Sequence, residues 1–289
     1  MSDTIEAISG ISLASIESLS GKSKSVIGKV GGITKPSGGS GIITNNLVQH
    51  LDAGDASSYN GSGTTWSDIS GQGVHATLYN SPTYSSTEGG GSFSFDGVND
   101  YALFDNSVVG PIRPSESELN SDGFTIQIWL KQDIGQSGFS WTNALADDNV
   151  YHGLVVAYDN RTSSGGRIVF HKMDGDGGSG TGSRRSRAYT NTGNISGWKL
   201  VTWGFDSANQ SDFIGFLNNT KYTSGTNSGF GSSVAYGTGR DGTLASRAIG
   251  TSAQRFFKQE IAVVLCYDVA LTDQQVTDNF DATKARFGY

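Results

Sequence analysis

The chain has 289 residues, of which 35% are hydrophobic and only 16% charged, with 41 glycines and a formal net charge of −7. Many short strands joined by turns suit that balance, because Gly supplies the positive φ angles of tight turns; long helices do not. A nucleic-acid partner is excluded in the absence of a basic face that would displace phosphate counterions, and no apolar run reaches the ~18 residues of a membrane span.

The first residues, MSDTIEAISG, lack the basic start and apolar core of a secretory signal. The expectation is a protein made in a cytosol without an export signal of its own. Residues 4–36 contain three copies of an 11-residue unit: TIEAISGISLA, SIESLSGKSKS and VIGKVGGITKP. Ile5, Ile16 and Ile27 align, as do Ile8, Leu19 and Val30, and Gly10, Gly21 and Gly32. Repeats of one small unit imply repeated use of one contact. Two fixed aliphatics per copy offer too little apolar area to offset the ordering of ~11 residues at ~1–2 kcal/mol each. Residues 1–36 are therefore expected to be either a disordered tail or, the favoured reading, an extended anchor arm that takes its order from a partner. Residues 37–45, rich in Gly and Ser, read as a linker.

Beyond the linker, residues 46–289 show the two-residue alternation of half-buried strands. Expected strands are Leu47–Asp52, Ala76–Tyr79, Ser92–Phe95, Tyr101–Phe104, Phe124–Lys131, Leu154–Tyr158, Arg167–His171, Lys199–Phe205, Phe213–Leu217, Ala248–Gly250 and Gln259–Tyr267. Asp96-Gly-Val-Asn-Asp100 is a hairpin turn between two of them. In Phe124–Lys131, Phe124, Ile126, Ile128 and Leu130 face the core, while Gln127, Trp129 and Lys131 share the other face. Arg184, Arg185 and Arg187 read as a solvated loop. Cys266, the single cysteine, is expected as a small buried hydrophobe that forms no intrachain disulfide. One helix closes the sequence. Thr272 and Gln275 form a capping box, Leu271 and Val276 a hydrophobic staple, and Val276, Phe280 and Phe287 an apolar stripe. Asp273 suits the positive end of its dipole, Lys284 and Arg286 the negative end, and Gly288 follows as a stop.

The segments LVQHLDAGDASSY (47–59), TTWSDISGQGVHATLYNSPTY (64–84), SFSFDGVNDYALF (92–104), FTIQIWLK (124–131), GWKLVTWGFD (197–206) and IAVVLCYDVALTDQQVTDNFDATKARFGY (261–289) resemble the laminin-G-like branch of the concanavalin A-like lectin/glucanase superfamily. The resemblance implies an all-β jelly-roll sandwich of two antiparallel sheets, here with one C-terminal helix and an N-terminal arm, and a carbohydrate-binding or adhesive role. The arm is similar to short Ile/Ser/Gly repeats at the front of tailed-bacteriophage structural proteins.

Catalysis finds little support. Glycoside hydrolysis needs two carboxylates at a set separation, and the Glu-x-Asp-x-x-Glu-like run of the superfamily's glucanases is missing; Asp147-Asp148 is a loop pair. His50, His75, His152 and His171 lack a serine elbow or a cysteine partner. The resemblance implies calcium at loop oxygens, with Asp96, Asn99 and Asp100 as candidates, although residues of this type also cap their own turns. Asp174-Gly-Asp-Gly-Gly178 lacks the twelfth-position Glu of a calcium loop. For sugar, Trp129 with Gln127 is the leading stacking platform and Trp141 a second, although for any single Trp packing in the core or at the rim of a sandwich is the favoured reading.

The reading from sequence is a non-enzymatic virion structural protein, assembled in a host cytoplasm as a head decoration, fibre or tail appendage. The arm docks on phage capsid or tail proteins through Ile5, Ile8, Ile16, Leu19, Ile27 and Val30. The sandwich is displayed as a homo-oligomer, a trimer by analogy with phage appendages, and meets host-surface glycan. A free lectin or adhesin is the alternative, and a glycoside hydrolase ranks below both.

Overall fold

The computed structural model describes residues 29–30, 33–34, 41–104, 123–133, 152–160, 163, 165–174, 185–206, 213–222, 242–249, 252–254 and 256–289. Two compact units are present, Met1–Gly39 and Ser40–Tyr289. In the first, β1 (Lys29–Val30) pairs antiparallel with β2 (Ile33–Thr34), Val30 opposite Ile33. The anchoring candidates Ile5, Ile8, Gly10, Ile16, Leu19, Gly21, Ile27 and Gly32 lie outside the described residues, as do Trp141, Arg184 and Asp147-Asp148.

The second unit is an antiparallel β-sandwich. Its strands are β3 (Leu47–Asp52), β4 (Thr65–Trp66), β5 (Ala76–Tyr79), β6 (Thr83–Ser85), β7 (Ser92–Asp96), β8 (Tyr101–Phe104), β9 (Phe124–Lys131), β10 (His152–Asp159), β11 (Arg167–Asp174), β12 (Arg185–Asn191), β13 (Trp198–Phe205), β14 (Phe213–Leu217), β15 (Thr220–Tyr222), β16 (Gly242–Leu244), β17 (Arg247–Ile249), β18 (Ser252–Gln254) and β19 (Lys258–Tyr267), followed by helix α1 (Asp273–Thr283). A large sheet runs β15-β14-β13-β9-β19-β7-β6, with β3 also on β19. A four-stranded sheet runs β16-β8-β5-β4 and a three-stranded one β10-β11-β12. Arg185 and Arg187, expected in a solvated loop, belong to β12, where Arg187 pairs with His171 and Arg185 with Met173.

The central strands of the large sheet, β9, β13 and β19, are buried on both faces. On one face Phe124, Ile126, Ile128, Leu130, Val201, Trp203 and Val264 meet Trp66, Leu78 and Phe104 of the four-stranded sheet and Tyr158 and Phe170 of the three-stranded one. Cys266 lies fully buried in this layer, as expected. On the other face Trp129, Leu200, Phe216, Val263, Leu265 and Tyr267 meet Leu271, Val276, Phe280 and Phe287. Alternation along β19 serves both layers, and a register shift against β9 between Ile261 and Val263 puts Ala262 and Val263 together in the second. Ile42 and Ile43 pack on the second layer, so the end of the segment read as a linker belongs to the sandwich.

Helix α1 starts as its sequence dictates. Thr272 accepts the Gln275 N–H and Gln275 Oε1 accepts the Thr272 N–H, a complete capping box. Its underside carries a buried polar seam. The Asn279 amide donates to Gln127 Oε1 (2.5 Å) and to the Tyr267 hydroxyl (2.9 Å), Asn279 Oδ1 accepts the Ile43 N–H (2.7 Å), and Gln127 donates to Thr202 (3.0 Å). The helix ends at Thr283, and a 3₁₀ turn, Lys284–Phe287, leads to Gly288 at φ 84°. Arg286 sits in that turn and acts as a clasp instead of a dipole partner. Its guanidinium reaches Asp52 Oδ1 (2.6 Å), the Gly89 carbonyl (2.5 Å) and the Gly91 carbonyl (2.7 Å). The same glycine loop presents Glu88, which accepts from Trp198 Nε1 (2.8 Å) and Lys131 Nζ (3.0 Å).

Two measurements check this account. Trp129→Ala removes the ring beneath the C-terminal segment and lowers unfolding free energy by about 3–5 kcal/mol, read from the urea midpoint. The bonds from Trp198 and Lys131 hold the Glu88 carboxyl below its ordinary value. That stability is present above the unfolded carboxyl's pKa and is lost as pH falls through the lower folded one. Glu88→Gln should therefore flatten the acid limb of the stability profile below about pH 4.5.

Candidate functional site

The sugar platform expected at Trp129 and Gln127 is not on the surface. Both residues have 0% exposure. The Trp129 ring stacks on Phe287 at 3.9 Å and its Nε1 donates to Thr283 at 2.8 Å. Alternation correctly separates them from the Phe124 face, but the C-terminal segment covers the face they occupy.

The outer face of the four-stranded sheet offers a different surface. In β5, Ala76 and Leu78 point inward while Thr77 and Tyr79 are exposed. In β8, Ala102 and Phe104 are buried while Tyr101 and Leu103 are half-exposed. The register sets Tyr79 opposite Tyr101 and Thr77 opposite Leu103; Thr65 lies opposite Thr77, and Thr243 opposite Leu103. The outward side chains thus form two rows, one aromatic and one mostly threonine.

The tyrosine rings stack with centroids 4.7 Å apart and planes only 4° from parallel. Phe256 flanks Tyr101 at 6.0 Å. Tyr79, at the end of the ladder, keeps 38% of its surface open, and Val98 in the adjoining turn 72%. Burial, and secondarily the Tyr79 phenol, push the Tyr101 hydroxyl above its ordinary pKa, so it remains a hydrogen-bond donor at neutral pH.

Two loops hold this pair in place. After Tyr79 the backbone turns through Asn80 (φ 63°) and Ser81 (φ 71°), a left-handed conformation that Asn adopts more readily than most residues. The Asn80 amide donates to the Asn99 carbonyl at 2.7 Å, so the exit from one tyrosine is tied to the approach to the other. Before Tyr101, Asp96 Oδ1 accepts the N–H groups of Val98 (2.7 Å), Asn99 (3.1 Å) and Asp100 (3.3 Å), and Asp100 Oδ2 accepts the Asp96 N–H (3.2 Å). Burial opposes the Asp96 charge, but these bonds hold its carboxyl below the ordinary value. Burial raises that of Asp100.

At the calcium candidates, Asp96 Oδ1 and Asp100 Oδ2 accept N–H groups of their own turn, and the Asn99 carbonyl accepts from Asn80. Among the described residues, no group of three or more His, Cys, Asp or Glu could hold a metal ion. The remaining histidines whose contacts are described have structural surroundings: His75 Nδ1 accepts the Asp68 N–H at 3.0 Å, and the His50 N–H donates to Asp68 Oδ1 at 2.8 Å.

No family model and no curated protein matches the chain. Solved structures similar to it are antiparallel β-sandwich domains. The binding domain of botulinum neurotoxin DC in complex with SialylT superposes with a TM-score of 0.57 at 9% identity, over 83% of this chain and 52% of that one. The same domain in complex with rat synaptotagmin II gives 0.58 at 10%, with equal coverage. Trypanosoma rangeli sialidase in complex with sialic acid gives 0.53 at 14%, over 86% of this chain and 35% of that one. The chain thus spans about half the length of the toxin domains and about a third of the sialidase. The likeness is one of fold.

Asn80 provides a local check. Asn80→Ala forces an alanine into left-handed backbone and removes one hydrogen bond, a loss of about 2 kcal/mol. Asn80→Gly keeps the backbone and loses only the bond, about 1 kcal/mol. Denaturant midpoints of the two variants separate these contributions.

Proposed function

We propose that this chain is a non-enzymatic binding protein whose sandwich recognises carbohydrate through the Tyr79–Tyr101 face. The observation that carries the reading is a pair of rigid, solvent-facing aromatic rings bordered by hydroxyl and amide side chains. Pyranose rings present a patch of C–H groups that packs on aromatic faces, while their hydroxyls bond to Thr, Asn and Tyr. Solved neighbours include a toxin binding domain in complex with SialylT and a sialidase in complex with sialic acid, which supports a glycan partner here. The fold does not carry the chemistry with it, and the sequence lacks the Glu-x-Asp-x-x-Glu-like run of the superfamily's glucanases.

The finer part of the proposal concerns display. The 11-residue repeat of the Met1–Gly39 unit resembles the fronts of tailed-bacteriophage structural proteins. We assign the arm the task of docking on capsid or tail proteins, with the sandwich projecting outward as a decoration, fibre or tail appendage on a symmetric, trimeric assembly. Multivalent display would raise avidity for a weakly held sugar.

Two variants separate the parts. Tyr101→Ala removes the middle of the ladder and should weaken glycan-array signal by about tenfold, with incorporation into particles unchanged. Deletion of residues 1–36 should abolish incorporation and leave glycan binding in place. Unchanged array signal in Tyr101→Ala would remove the tyrosine face from the reading, and full incorporation of the truncated chain would remove the arm.

A further inference from the structure

The Tyr79–Tyr101 face is unusual in what its two rows lack. Outward positions of β4, β5, β8 and β16 are Thr65, Thr77, Tyr79, Tyr101, Leu103 and Thr243, and none carries a charge. Thr243 is fully buried while Thr65, Thr77 and Tyr79 are exposed, so the face opens on the β4 side.

That opening has a shape. The bond from the Leu78 N–H to the Thr64 carbonyl (2.7 Å) continues the β4–β5 pairing past its last ladder pair. Gly63, just before Thr64, has φ +89° and no atom within 4 Å of where a Cβ would stand. Tyr101 stacks on the Tyr79 ring, and Tyr79 still keeps 38% of its surface open. The segment that leads into β4 carries the exposed polar residues Asn60, Ser62 and Thr64, with exposed Thr65 in β4 itself. At the other margin, Asp96 carries a negative charge in the turn that leads to Tyr101. Its cross-strand neighbour Lys258 turns its ammonium to Asp133 at 3.6 Å.

From this geometry, and resting on the carbohydrate reading above, we infer that the site takes an uncharged pyranose, seated on the exposed Tyr79 ring beside Thr65 and Thr77, and discriminates against sialylated or sulfated sugars. An acidic sugar brought onto this strip would lose hydration and meet no cationic side chain at its outward positions, and desolvating an anion without one is costly. It would also approach the carboxylate of Asp96. A neutral hexose gains ring contact with Tyr79 and exchanges water for the hydroxyls of Thr65 and Thr77.

The test uses the full chain on an array that prints neutral oligosaccharides beside their sialylated and sulfated counterparts. Signal is expected on neutral glycans. It should fall about tenfold in Tyr79→Ala and survive in Tyr79→Phe, which keeps the ring should the alanine variant fail to fold. Thr65→Lys, which adds a cation to the strip, should raise signal on the sialylated counterparts about threefold at low salt. Tyr79-dependent signal confined to acidic glycans would overturn the neutral-ligand inference while leaving the carbohydrate reading intact. An absence of glycan binding, or binding that Tyr79→Ala leaves unchanged, would overturn both.

Discussion

Strand β19 carries the constraint on which the rest of the sandwich depends. It is bonded along one edge to β9, while its other edge is divided between β7 at residues 258–261 and β3 at residues 263–267. Its side chains contribute to both hydrophobic layers. A strand so placed must be apolar almost throughout, and Ile261 to Tyr267 is buried without interruption. Because both faces are covered, the large sheet has little room for a surface site. The four-stranded sheet, by contrast, has a second face that is open in part.

Much of this arrangement is legible in the sequence, and the failures have physical causes. Leu47–Asp52, Ala76–Tyr79, Tyr101–Phe104, Phe124–Lys131 and Phe213–Leu217 emerge as read, because alternation at a period of two is a local property. The capping box of α1 is local as well. What alternation cannot reveal is whether a second face meets water. Trp129 and Gln127 lie opposite the core side of β9, and only the tertiary course of the chain shows that Phe287 and Asn279 cover them. Strand β12 escaped detection because Arg, Ser and Asn have low strand preference, and its pairing with β11 overrides composition. Two-residue β4 is too short to leave a pattern.

The tyrosine pair was hidden for a related reason. Tyr79 and Tyr101 each stand at the end of a short strand that reads plainly, but the register between those strands is set by the loops that join them. Once Tyr79 is seen opposite Tyr101, the turn chemistry on both sides acquires a second meaning. Asp96 closes its hairpin and thereby sets the approach to one ring. Asn80 tolerates a left-handed turn and through its amide sets the exit from the other. A platform held at both ends has little conformational freedom to lose on contact with a ligand.

The wide spacing of strand partners bears on how the molecule reaches this state. Gln49 meets Cys266 at a sequence separation of 217, and Ile43 meets Asn279 at one of 236. During ribosomal synthesis the β3 segment must therefore wait, without its sheet neighbour, while most of the polypeptide is made. Long-range closure of this kind slows folding and leaves early apolar segments exposed to aggregation. The few charges and many glycines between them lower no such barrier, so acquisition of the native sandwich is expected to be slow and sensitive to crowding by sister chains.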